Sequence, residues 1–149
     1  MRKLFAASLC ALALAAPGVS FAQVGWTYAY TDGVATATER DDRGRVTATF
    51  TCAPPTGDII VTDYVLGRSA RNANRSDIRI GNMSVNVPSR VEGRGRNARL
   101  IINLPQRPPI LAGVQPSDVV SVTVNRETRT YQAGSATRMK DVAYGCWGS

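Results

Sequence analysis

Val46–Cys52, VTATFTC, decides the fold class. Val46, Ala48, Phe50 and Cys52 alternate with Thr47, Thr49 and Thr51, so an extended chain puts the two sets on opposite faces. The β-branched and aromatic content suits a pleated strand. The phase predicts that Cys52 follows Phe50 onto the core side. Upstream, Arg40-Asp41-Asp42-Arg43-Gly44 reads as a charged turn, preceded by Val34 to Glu39, where Ala35 and Ala37 alternate with Thr36 and Thr38. The two strands are expected to form a hairpin. Asp32, Glu39, Asp41 and Asp42 do not read as a calcium loop, because arginines interrupt the regular alternation of oxygen ligands such a loop needs.

Further out, Trp26, Tyr28 and Tyr30 recur at spacing two before the turn signal Asp32-Gly33. They are either a platform for sugar rings or a row covering the core, and the second reading is favoured. Downstream, Ile59 to Leu66 is apolar at both phases, which predicts a central strand. Ile78 and Ile80 belong to a strand that continues through Met83, Val85 and Val87 and ends at Pro88. Leu100, Ile102 and Leu104 share one face of the next strand. PQRPPILAGVQP (105–116) reads as a stiff crossover with one helical turn at Ile110 to Gly113, in preference to a polyproline ligand. Val120, Val122 and Val124 form another strand, and Thr128 to Tyr131 return.

In the last stretch, TYQAGSATRMKDVAYGCWGS (130–149), Gly134 lets the chain leave the sheet and Ser135 is expected as N-cap. Met139, Val142, Ala143 and Cys146 follow helical spacing. Gly145 is expected to loosen the end, with Cys146 just past the last turn. About eight short strands with little helix predict an all-β antiparallel sandwich, or flattened barrel, with one short C-terminal helix.

The N-terminus sets the compartment. Arg2 and Lys3, the apolar run Leu4 to Ala16, and Ser20-Phe21-Ala22 form a secretory signal peptide over residues 1–22. Residues 23–149 then form one domain with no membrane span. Loss of Arg2 and Lys3 lowers the formal charge from +7 to +5, and loss of Cys10 leaves Cys52 and Cys146. Two cysteines in an exported chain read as one disulfide. The sequons at Asn74 and Asn82 matter only in a eukaryote. The leader and the excess of arginine over lysine point to a bacterial periplasm or exterior.

The chemistry is defined mainly by what is missing. The chain has no histidine, which excludes Ser-His and Cys-His nucleophiles and the usual zinc and copper ligand sets. No cofactor or metal site is assigned. Glu39, Glu92 and Glu127 are each expected in turns near arginine, where a general acid's raised pKa is not available. Two basic segments, GRSARNANRSD (67–77) and Ser89 to Ala98, hold most of the excess positive charge. They contain no aromatic residue, which argues against nucleic acid. Whether they meet in one patch stays open at this level.

The ending VSVTVNRETRTYQAGSATRMKDVAYGC, with Cys52, resembles small exported proteobacterial proteins of the invasion-associated locus B type and is similar to the type VI secretion-associated VasI type. The resemblance covers the last 30 or so residues and implies a β-sandwich, a cysteine-linked C-terminal helix and a periplasmic setting. It brings no site residues. The expected function is non-enzymatic binding of an anionic envelope polymer, a lipid head group or a protein partner. Arg68, Arg71, Arg75, Arg90, Arg94 and Arg96 are the expected anionic contacts, with Trp26, Tyr28 and Tyr30 as a second surface. A structural or assembly role in an envelope or secretion machinery is the alternative. A carboxylate-based cell-wall enzyme is the least favoured reading.

Overall fold

Nine antiparallel strands and one C-terminal helix make up the computed structural model, which describes residues 24–52 and 54–147. The signal peptide expected over residues 1–22 lies outside the described residues. The strands are β1 (Gly25–Thr31), β2 (Val34–Arg40), β3 (Val46–Cys52), β4 (Ile59–Asp63), β5 (Arg75–Ile80), β6 (Met83–Glu92), β7 (Arg99–Leu104), β8 (Val120–Val124) and β9 (Glu127–Thr130). They form one curled half-barrel sheet in the order β1-β2-β3-β4-β7-β6-β5-β8-β9. Helix α1 (Ser135–Trp147) packs against β1, β2 and β3.

The alternating patterns fix which face is inside. Phe50, Ile59, Leu100, Ile102, Val122 and Met139 are fully buried in one continuous core. Each such side chain contributes about 1.5–3 kcal/mol relative to exposure. The β1–β2 connection is a two-residue hairpin with Asp32 and Gly33 both at positive φ (51° and 79°), the turn whose twist matches paired strands. Strand β4 lies between β3 and β7, so the central position expected for it holds.

Several boundaries differ from the sequence expectation. Gly81-Asn82 is a hairpin turn that separates β5 from β6, which makes nine strands. Pro88 does not end β6. It pairs with Arg75 at the last rung against β5, and from Ser89 onward the same strand pairs with β7, so the missing N–H falls where the ladder changes partner. Strand β4 stops at Asp63, and the chain turns into a short 3-10 turn at Leu66–Arg68. Thr47 is bulged, because Glu39 pairs with Ala48 and Arg40 with Val46. Its hydroxyl therefore reaches the buried Glu39 instead of keeping to the outer face.

Helix α1 also departs from its reading. Ser135 is buried, and its hydroxyl accepts the Val120 N–H at 2.9 Å, tying the helix start to β8 where an N-cap bond was expected. Gly145 lies inside the helix. A Cβ there would stand 2.6 Å from the Tyr28 hydroxyl and 2.8 Å from the Ala35 Cβ, so glycine sets how closely the helix approaches β1 and β2. Cys146 is helical and is bonded to Cys52, with Cα atoms 5.8 Å apart. Trp147 Nε1 donates to the Gly57 carbonyl beside that bridge. Among the described residues, no helix is long and apolar enough to cross a membrane.

The bridge joins residues 94 apart. In the chain-entropy treatment, closing such a loop contributes about 4.5 kcal/mol. Cys146→Ala is expected to lower the thermal midpoint sharply in denaturation followed by circular dichroism, and reductant is expected to reproduce the loss in the wild type. Unchanged unfolding in both would show that the bridge carries no stability.

Candidate functional site

The two basic segments meet. Asp63, at the end of β4, accepts the N–H groups of Val65 and Leu66 on Oδ1 (2.8 and 2.7 Å), which turns the chain and seats buried Leu66. Gly67 then rests directly on the backbone of Ala98 and Arg99, where any Cβ would overlap main-chain atoms. A second 3-10 turn, Gly95–Asn97, follows the end of β6. The contact at Gly67 brings Arg68, Arg71 and Arg94 around one hollow of about 350 Å³, whose lining also includes Val91 and Ala98. The Asn125 side-chain amide donates to the Arg71 carbonyl at 3.0 Å and ties that loop to the β8–β9 turn.

The six arginines named from the sequence separate into two groups. Among the described residues, Arg68, Arg71 and Arg94 form no ion pair, and no acidic side chain lines their hollow. Arg90 pairs with Glu92 at 2.8 Å, and Glu92 also holds Arg99 at 3.0 Å. Arg75 is held on β6 by the side chain and carbonyl of Asn86. Arg96 is exposed in the second 3-10 turn and does not line the hollow.

The aromatic row divides as well. Trp26 stacks on Phe50 at 4.4 Å and meets the edge of Tyr131 at 6.1 Å, so it belongs to the core, and its buried indole N–H has no partner among the described residues. Tyr28 and Tyr30 stay 38% and 57% exposed beside Gly145. Only two of the three rings keep exposed area, which leaves a smaller aromatic surface than the spacing implies.

A buried charge cluster went unread in the sequence. Arg129, on β9, pairs with both Glu39 of β2 and Asp63 of β4, the second at 2.7 Å. Glu39 and Asp63 are 1% and 0% exposed. Glu39 Oε1 accepts the Gln132 N–H at 2.8 Å, and Oε2 accepts the Thr47 hydroxyl at 2.6 Å. Asp63 Oδ2 accepts the Tyr131 hydroxyl at 2.9 Å, and the Arg129 guanidinium lies 4.8 Å from the centre of the Tyr131 ring. Glu39 therefore lies in the core, not in the solvated turn expected for it. The signal was present: it shares the phase of Ala35 and Ala37, as Asp63 shares that of Ile59 and Val61. With every carboxylate oxygen engaged and both carboxylates buried, the cluster ties β2, β3, β4 and β9 together.

Two further carboxylates are held in their charged form by arginines. Hydrogen bonds from the Arg90 and Arg99 side chains hold Glu92 below the usual carboxylate range. The Arg45 side chain does the same for Asp41, whose Oδ1 also accepts two backbone N–H groups, so this turn stays a solvated turn. At neutral pH both are ionised acceptors.

Burial, with Asp63 nearby, pushes the Tyr131 hydroxyl well above its ordinary value of 10.0. The folded protein then holds this proton more tightly than the unfolded chain does. The stabilisation is complete below pH about 10 and is lost as pH rises above that value. Tyr131→Phe is expected to flatten the alkaline fall of the thermal midpoint above pH about 10, measured against the wild type. Arg129→Met leaves two buried carboxylates without their cation and is expected to cost about 3–5 kcal/mol in denaturant unfolding. Compared with known protein families, curated proteins and solved structures, the chain matches none.

Proposed function

We propose that this chain is an exported, non-enzymatic binding protein whose arginine-lined hollow takes an anionic component of the bacterial cell envelope. The observation that carries this reading is the convergence of Arg68, Arg71 and Arg94 on one hollow without an acidic partner. Guanidinium groups stay charged at every physiological pH and present planar forks to oxyanions. The leader-like N-terminus, the disulfide and the likeness of the C-terminal stretch to small periplasmic proteins support an extracytoplasmic setting.

The test is binding of the folded protein to phosphatidylglycerol vesicles and to an acidic polysaccharide. Binding is expected at low ionic strength and is expected to weaken steeply with salt. The triple variant Arg68→Ala, Arg71→Ala, Arg94→Ala is expected to lose most of it. Failure to bind any anionic probe at low salt overturns the proposal.

A second reading, assembly with a protein partner, draws on β1. This edge strand, GWTYAYT, carries no charged side chain, and Tyr28 and Tyr30 are exposed on it. Uncharged edges invite pairing with another chain. Purification from envelope extracts separates the two readings, since a stoichiometric protein favours the second and a retained glycan or lipid the first.

A further inference from the structure

We propose that the hollow is a terminal phosphomonoester site, taking a phosphate group with a sugar ring or an alkyl chain behind it; this rests on the reading of the hollow as an anion site. Three arginines line one pocket. Arg68 and Arg71 from one loop and Arg94 from another line the same space, whereas Arg75, Arg90 and Arg96 are engaged elsewhere or stand outside it. A polymer backbone calls for a track of charge along the surface, but a pocket of this volume suits a single terminal group.

The number of guanidiniums selects the anion. Three forks match three terminal oxygens and close to two negative charges, which a phosphomonoester supplies near neutral pH. A carboxylate brings two oxygens and one charge, and a sulfate ester brings one charge. Gly67 and Gly93 let the lining backbone pack directly on Ala98 and Arg99, and on Asn97, and a Cβ at Gly95 would meet nothing within 4 Å. Val91 and Ala98 give an apolar wall for the carbon part of the ligand. The nearest acidic group along the chain, Glu92, is occupied by Arg90 and Arg99.

The proposal has a pH signature that comes from the ligand. The chain contains no histidine, and arginine does not titrate in this range. A phosphomonoester gains its second charge near pH 6, so binding strengthens from pH 5 to 7.5, whereas binding of a sulfate ester stays flat.

The experiment is calorimetric titration of the full protein with glucose 6-phosphate, glucose 6-sulfate and glucuronate at both pH values. It is paired with sedimentation on vesicles containing phosphatidic acid, a monoester, or phosphatidylglycerol, a diester. Glucose 6-phosphate is expected to bind about tenfold more tightly than the sulfate at pH 7.5, with the gap closing at pH 5. Arg94→Ala is expected to lose about tenfold or more, and exposed Arg96→Ala is expected to stay within twofold of the wild type. Preference for the soluble sugar phosphate identifies a phosphosugar. Preference for phosphatidic acid over phosphatidylglycerol vesicles identifies a lipid headgroup, and either result supports the site. Equal binding of sulfate and phosphate, or equal losses in the Arg94 and Arg96 variants, overturns it. Binding only to phosphatidylglycerol or acidic polysaccharide overturns the monoester site and leaves the broader anionic reading standing, whereas no binding to any probe removes both.

Discussion

Arg129 stands between two carboxylates that have no water to turn to. Taking Glu39 and Asp63 out of solvent costs several kcal/mol each, and one guanidinium cannot offset that alone. The remaining oxygens are satisfied by backbone N–H groups of Gln132, Val65 and Leu66 and by the hydroxyls of Thr47 and Tyr131. This complete partner set makes the cluster tolerable and also makes it selective. Strand β9 is the last in the sheet, and Arg129 carries it back to β2, β3 and β4. A slip of one residue would turn Arg129 outward and leave two buried anions unpaired. The curl of the sheet thus has a register enforced by charge as well as by apolar burial.

The same cluster reaches the basic hollow through one side chain. Asp63 takes Arg129 and Tyr131 on one oxygen and the turn leading to Arg68 on the other. The turn then presses Gly67 onto the start of β7. The position of one hollow-lining arginine is therefore set from the core, by a carboxylate that never meets solvent. On the opposite flank the disulfide and Gly145 fix α1 against β1 to β3. The two constraints share β2 and β3, where the charge cluster holds Glu39 and the Thr47 carbonyl and the clasp holds Ala35 and Cys52, and the aromatic cluster of Trp26, Phe50 and Tyr131 packs in the same core.

Period-two alternation made much of this legible. It placed Phe50 and Cys52 inward, located β8 and β7, and carried the fold class. Helical spacing marked the face with Met139 and Val142, and the cysteine count marked the disulfide. It also pointed to Glu39 and Asp63, whose phase puts them inside, but a charged residue at a strand end reads as solvent-facing until its cation is known. That cation lies 90 residues from Glu39, in a short strand of mixed polarity where Arg129 has no pattern to mark it. Pro88 misled for a related reason, because a strand that changes neighbours can absorb a missing N–H at the change. The meeting of the two arginine segments depends on Gly67 against Ala98 and Arg99, a backbone contact that leaves no periodic trace.

Strand β6 carries one more consequence. Its first half pairs with β5 and its second half with β7, so both parts of the sheet share one unbroken span of main chain. No linker lies between them to serve as a hinge. Opening one part against the other would mean bending a hydrogen-bonded strand at Pro88-Ser89, and Val91, a wall of the hollow, sits three residues beyond that proline. Jaw-like closure of the sheet thereby has no pivot, and any change in the shape of the hollow is left to the arginine side chains.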